Sequence, residues 1–426
     1  MPVREQWDTD RTLLLAGEDA SLSFLGTTAR DSATVFAGHQ SAKFAPVSAG
    51  DCRVRKTSSL DLSSFSHFEV MCHADDMTGL SYVVLNLYSS TSGHVAQLNV
   101  STAMKALGVT KGGWRRVRLA RRTAKFMGGF AEAEWADIRT IELSAAAKTD
   151  MTAVVYVAAV YAMNLPAAIS IEFDDGYKSV YETAYPILDA RRLAGSANIN
   201  TRDVGATTRM TWPQLRELQH AGWAVCNHTH SHIDLKTATV EQVRADLATS
   251  RKIMKHYGFD RGANYLVAPF GSVDATRYDV YYDYAKIFRG GSSAALLSQP
   301  IGGRMLEGPR GYMKLDYTGV GLTCSIDAAK AFVDELILRR EQTCLNFHNI
   351  IETASASTDW PTGDFTALMD YIAAKRDVGE LLVMNAIDIA YQTQGAVVKD
   401  NDGHAYISGV RDGHPVLVDL EITPLE

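Results

Sequence analysis

Ile169-Ser170-Ile171-Glu172-Phe173-Asp174-Asp175-Gly176 is an apolar run closed by two adjacent carboxylates and a glycine. The isoleucines and phenylalanine mark a buried strand, and the glycine marks the turn that ends it. The chain changes texture just before this stretch, near residue 165. Upstream, short alternating apolar runs (68–71, 81–87, 114–119, 138–143 and 153–161) are separated by turn-like clusters such as 48–51 and 111–113. Many short strands at close spacing predict an all-β sandwich. Downstream, helices are predicted near 178–192, 211–220, 240–257, 326–340 and 364–376. Strands are predicted between them, at 223–226, 265–268, 285–288, 344–347 and 381–384. That alternation is the rhythm of a parallel α/β sheet or barrel. From about Gly395 the chain is polar and glycine-rich, with Val410, Val416, Val418 and Leu420 as weak strand material. The expected division is a β-sandwich over 1–164, an α/β barrel over 165–394 and a small β-rich tail over 395–426.

Composition narrows the function. Of 426 residues, 46% are hydrophobic and 21% charged, an ordinary globular balance. The net charge of −7, from 49 acids against 42 bases, argues against a nucleic-acid partner. The longest apolar run, 153–163, is shorter than the roughly 20 residues of a membrane span. The start, MPVREQWDTDRT, lacks the apolar core of a secretory signal. The expectation is a cytoplasmic chain, a mature form, or one exported by another route such as release within a virion. The five cysteines are odd in number, widely spaced and free of any CxxC, which speaks against a disulfide framework and a cysteine zinc site.

In α/β folds the reactive residues gather at the C-terminal ends of parallel strands. The first strand ends in Asp174-Asp175-Gly176, where one carboxylate can ligate a metal while the other stays free as a base. The 223–226 strand ends in Asn227-His228-Thr229-His230-Ser231-His232. Histidines at i and i+4 can share one cation on a helical turn, whereas an extended segment would put all three on one face. The 344–347 strand ends in His348. One carboxylate and two histidines make a metal site with room for water. A second carboxylate can take that water's proton, and a separate histidine can protonate a leaving group. The set predicts metal-assisted hydrolysis.

These segments resemble the polysaccharide deacetylases of carbohydrate esterase family four, the NodB-homology domain. The family's Thr-Phe-Asp-Asp-Gly is similar to Glu172-Phe173-Asp174-Asp175-Gly176, and its His-Ser/Thr-x-x-His to His228-Thr229-His230-Ser231-His232. Its Pro-Tyr/Phe-Gly is similar to Pro269-Phe270-Gly271, and its Leu-x-x-His to Leu345-Asn346-Phe347-His348. The resemblance implies a distorted (β/α) barrel with fewer than eight complete units. It implies Asp174 as general base, His348 as general acid, and Asp175, His228 and His232 as ligands of Zn2+ or another divalent metal. It also implies the Phe270 N–H as an oxyanion donor and His230 as a bystander or supporting group. The partner it implies is an acetylated polysaccharide, with the protein acting outside the cell or at a cell surface.

Three departures stand out. The stretch Asn264-Tyr265-Leu266-Val267-Ala268 lacks the arginine that opens the family's third motif and pairs with the base. Arg289 and Arg304 are the candidate replacements. Glu172 stands where threonine is common, and the family's fourth motif with its tryptophan has no clear counterpart. In the N-terminal region, 113–119 and 135–141 resemble the last part of jelly-roll carbohydrate-binding modules, with Trp114 and Trp135 expected in the core. Two other readings remain open at this level: a glycosidase using paired carboxylates, and a carbohydrate-binding or structural protein with a vestigial barrel.

Overall fold

The computed structural model describes residues 11–36, 39–46, 51–74, 78–101, 114–164, 166–277, 280–281, 283–285, 287–290, 324–340 and 342–388, together with strand segments within 306–319 and 398–420. The chain forms two compact units. One comprises Thr9–Leu165 and Leu306–Tyr312, and the other Pro166–Met305 and Met313–Glu426 together with Met1–Asp8.

The first unit is built from antiparallel sheets. In one, Val155–Met163 is flanked by His67–Ala74 and His39–Phe44. In the other, Ile138–Ala147 lies between Leu80–Ser89 and Asp51–Leu60. Alternate residues of both sheets, among them Phe68, Val70, Leu85, Leu87, Leu143 and Val157, meet in one buried cluster. This is the inward half of a period-2 pattern, and it makes the unit sandwich-like. Trp135 is fully buried, and its ring packs against Phe68, Phe126 and Phe130. It is therefore a core residue. The Trp114 side chain lies outside the described residues.

The second unit is a curled parallel sheet with helices outside it. Its strands, numbered here within the unit, are β1 (Ala168–Phe173), β2 (Ser196–Ile199), β3 (Ala224–Asn227), β4 (Tyr265–Val267) and β5 (Ile287–Arg289). They continue with β6 (Met313–Leu315), β7 (Tyr317–Gly319) and β8 (Gln342–Phe347). The spatial order is β7-β8-β1-β2-β3-β4-β5-β6, with the pairings parallel. Outside run α1 (Tyr185–Asp189), α2 (Trp212–His220), α3 (Val240–His256), α4 (Ile326–Arg339) and α5 (Thr362–Asp377).

Both faces of β1 are buried, as parallel strands require. Ile169, Ile171 and Phe173 face the helices and pack with Leu215, Phe332 and Phe365. Phe173 stacks on Trp223 and Phe347 with centroids 5.6 and 5.7 Å apart. The alternate set, Ala168, Ser170, Glu172 and Asp174, faces inward. Ala168 joins Cys226, Tyr265, Cys344 and Met384 in an interior cluster. The five cysteines are free thiols and four are buried, which makes them packing residues.

Several features differ from the sequence expectation, among them the short strands β6 and β7, which it did not include. β2 was not anticipated, because four residues with serine and asparagine on one face carry little apolar signal. The helix expected over 178–192 opens instead with a π turn, Val180–Ala184, followed by α1. Pro186 lacks an N–H and cannot donate to the preceding turn, which favours the wider spacing there. In the tail, Ala405–Arg411 and His414–Leu420 form an antiparallel pair with Val398–Lys399 alongside.

Candidate active site

The site forms where β1, β3, β4 and β8 end. Phe173 pairs with Phe347, and the Asp174 N–H donates to the Phe347 carbonyl at 2.9 Å. Asp174 and His348 therefore leave neighbouring strands side by side. At Asp175 the backbone turns to φ 70°, and Gly176 follows at φ 65°. Thr229 (φ 70°), His232 (φ 59°) and Phe270 (φ 60°) adopt the same left-handed region. Four of the seven such non-glycine residues among those described are thus gathered at one place. Left-handed backbone disfavours L side chains and persists where the surroundings enforce it.

Asp175, His228 and His232 bring one ligand atom each to within 4.8 Å of one another. Asp175 Oδ1 lies 3.4 Å from His228 Nε2 and 3.2 Å from His232 Nε2. That oxygen is buried and makes no conventional hydrogen bond. His228 Nδ1 sits 3.0 Å from the Val267 carbonyl, which can only accept, so Nδ1 carries the proton. In the neutral ring Nε2 is then a lone pair aimed at a carboxylate lone pair. A cation between them removes the repulsion, so the donor set fits a divalent metal with an open coordination position. His230 is turned away, its Nδ1 2.9 Å from Thr201 Oγ1.

The loop carrying the histidines is clamped from α3. Asp246 accepts from the His230 N–H at 2.6 Å, the Ser231 N–H at 3.0 Å and the Ser231 hydroxyl. One turn on, the Ser250 hydroxyl donates to Asn227 Oδ1, which also accepts the Thr229 N–H at 2.9 Å. The Thr229 hydroxyl in turn accepts the His232 N–H at 3.0 Å.

Asp174 is 5% exposed and is held apart from the ligand set. Arg289 Nη2 reaches its two oxygens at 2.5 and 2.6 Å, and Asn198 Nδ2 donates to Oδ1 at 2.8 Å. Of the two candidate arginines, Arg289 therefore meets Asp174, while Arg304 lies outside the described residues. Burial alone would raise the Asp174 pKa. The Arg289 cation, then His228 and His348, more than offset this and hold it below the usual carboxylate value. Asp175 is also held well below the usual carboxylate value, with His228 and His232 overcoming its burial. His228 is raised, because Asp174 and Asp175 outweigh desolvation. His348 is lowered from 6.5 by burial, with Asp174 and Asp175 opposing.

Phe270 is 70% exposed, and its ring meets that of His232 edge-on at 4.6 Å. The turn around it is closed by the Gly271 and Ser272 N–H groups, which donate to Ala268 and Pro269. Reading strand ends singled out Asp174, Asp175, His228, His232 and His348 as candidates. It passed over Asn198 and Asp246, which sit on a polar strand and on a helix face and carry no motif. Their one signal is a buried polar residue within an apolar pattern.

The family described as Polysaccharide deacetylase matches residues 164–285. YxkH of Bacillus subtilis, named provisionally as a polysaccharide deacetylase, is 29% identical over 85 residues, covering 20% of this chain and 30% of its own length. Solved structures similar to the chain include the deacetylase PplD of Streptococcus pyogenes, in complex with acetate. It shows 18% identity over 40% of this chain and 70% of its own, with a TM-score of 0.32. A family 4 acetyl xylan esterase from Clostridium thermocellum, in complex with cobalt, shows 13% identity over 54% of this chain and 92% of its own, TM-score 0.37. A family 4 pseudoenzyme from Bacillus anthracis shows 13% identity over 53% and 66%, TM-score 0.36. Arg289 and His348 fall beyond the matched stretch, whereas Asp174, Asp175, His228, His232 and Phe270 fall within it, and on that match residues 164–285 form a polysaccharide deacetylase domain.

Proposed function

We propose that the protein is a metal-dependent hydrolase that removes N- or O-linked acetyl groups from a polysaccharide. The observation that carries this is the buried Asp175 Oδ1 facing two imidazole nitrogens, beside a second carboxylate reserved by Arg289 and Asn198. Asp175, His228 and His232 would hold the cation, zinc being the natural choice for that donor set. Once bound, it supplies a Lewis acid that polarises a carbonyl and acidifies water.

Asp174 is the general base. Its depressed pKa keeps it ionised at neutral pH, ready to take a proton from attacking water. Asn198 occupies Oδ1, which leaves Oδ2 the freer acceptor. The Phe270 N–H, presented by left-handed backbone, donates to the carbonyl oxygen as that oxygen gains charge. His348 donates a proton to the departing amine or alcohol. Burial makes its imidazolium a stronger acid than a solvated one. A polymer of this kind lies outside the cytoplasm, so the reading places the action at a cell exterior.

The test is acetate release from a panel of N- and O-acetylated polysaccharides, with zinc and with chelator. Acetate from one polymer that vanishes with chelator supports the reading and names the glycan class. New reducing ends without acetate would point to glycoside cleavage instead. Neither product from zinc-loaded protein would defeat it.

A further inference from the structure

We propose that Glu172 is a positioning residue for Asp174, acting through Arg289. The proposal rests on the hydrolytic reading above. Glu172 and Asp174 are two residues apart on β1, so both face the interior of the curled sheet. Arg289 ends β5, separated from β1 by β2, β3 and β4 in the sheet order. Its side chain therefore crosses the interior to reach the base. It is 1% exposed and meets both carboxylates, Nη2 at Asp174 and Nε at 3.4 Å from Glu172 Oε2.

A guanidinium arriving from that far rides on a long, rotamer-rich stem that must be ordered. Nη2 holds the two Asp174 oxygens, and the Cys344 thiol also lies against the guanidinium. The Glu172 carboxylate adds an ion-pair contact on the Nε side that favours one orientation of the plane. Glu172 is itself immobilised, accepting from Ser170 Oγ at 2.8 Å and Tyr265 OH at 3.2 Å on Oε1. On Oε2 it accepts from Asn198 Nδ2 at 3.1 Å, the same amide nitrogen that donates to Asp174. Asn198 thus hydrogen-bonds both carboxylates, while Arg289 hydrogen-bonds Asp174 and lies at ion-pair distance from Glu172. Threonine at 172 has a shorter reach and no charge to set against a guanidinium.

The experiment is a double-mutant cycle on the full chain with Glu172→Gln, Arg289→Met and both together. Acetate release would be measured as kcat and KM separately, and bound zinc quantified for each protein. Glu172→Gln is expected to lower kcat by about tenfold to a hundredfold, with KM and zinc content unchanged. The double variant should be no worse than Arg289→Met alone, since the two act as a unit. Free guanidinium should restore part of the kcat of Arg289→Ala while Glu172 is present. If Glu172→Gln does not fold, Glu172→Asp keeps the charge with a shorter reach and should show an intermediate kcat loss. Wild-type kcat in either Glu172 variant, or losses that multiply in the double variant, would overturn the role of Glu172 alone. Wild-type protein that releases no acetate would overturn the hydrolytic reading and this role with it.

Discussion

Between Asp174 and Asp175 the chain passes into left-handed backbone, so two adjacent carboxylates meet different partners. Asp174 is tied to Arg289 and Asn198, and Asp175 to the two histidines. The roles should therefore separate by substitution. Asp174→Asn is expected to retain zinc and to lose turnover by about 10²–10⁴-fold, the usual weight of a general base. Loss of zinc by that variant would mean the two aspartates are interchanged. His228→Ala is expected to lose zinc affinity, measured by titration with a chromophoric chelator. Full occupancy there would refute His228 as a ligand.

At the scale of elements, α3 does more than cover the sheet. Val243, Leu247 and Met254 bury its apolar side, while Asp246 and Ser250, one turn apart, hold the histidine loop. Asp246→Ala leaves the His230 and Ser231 N–H groups without their acceptor. That should cost about 1–3 kcal/mol of stability and about 10–100-fold in metal affinity. Unchanged zinc affinity in a folded Asp246→Ala protein would show that the loop keeps its shape unaided. A short 3-10 turn in the first unit carries a different prediction. Glu134 accepts from the Ala131 N–H at 2.7 Å and pairs with His94 at 2.9 Å. His94, then Ser89, hold its carboxyl at about 2 instead of 4.5. A carboxyl depressed in the folded state adds stability above its unfolded pKa and loses it as pH falls towards the folded one. Wild type should therefore destabilise more steeply than Glu134→Gln between pH 4.5 and about 2 in acid denaturation. Parallel curves would exclude the contribution.

For the whole molecule, the candidate ligands Asp175, His228 and His232 belong to the second unit, so a cation that binds only the folded chain would stabilise it. At 100 times the dissociation constant the gain is about 2.7 kcal/mol. Calorimetry should show the melting temperature rising with zinc and falling with chelator. Identical melting in both conditions, for wild type but not for a control metalloprotein, would argue that the cluster binds no metal. Among the described residues no helix is long and apolar enough to cross a membrane.

What was legible beforehand follows from local chemistry. The alternation of Ile169, Ile171 and Phe173 and the aspartates after them mark a strand end in any context, because burial acts on side-chain period and turns need glycine. The same holds for the histidine cluster after β3 and for His348 after β8. The pairing of Arg289 with Asp174, the anchoring of that arginine by Glu172 and the clamp from Asp246 join residues with no fixed spacing in the chain. β2, with its serine and asparagine facing inward, is polar by composition and becomes a strand only between β1 and β3. Local sequence determined which residues could do chemistry. Curling of the sheet decided which of them meet, because buried charges must find partners and those partners come from whichever strand faces them across the interior.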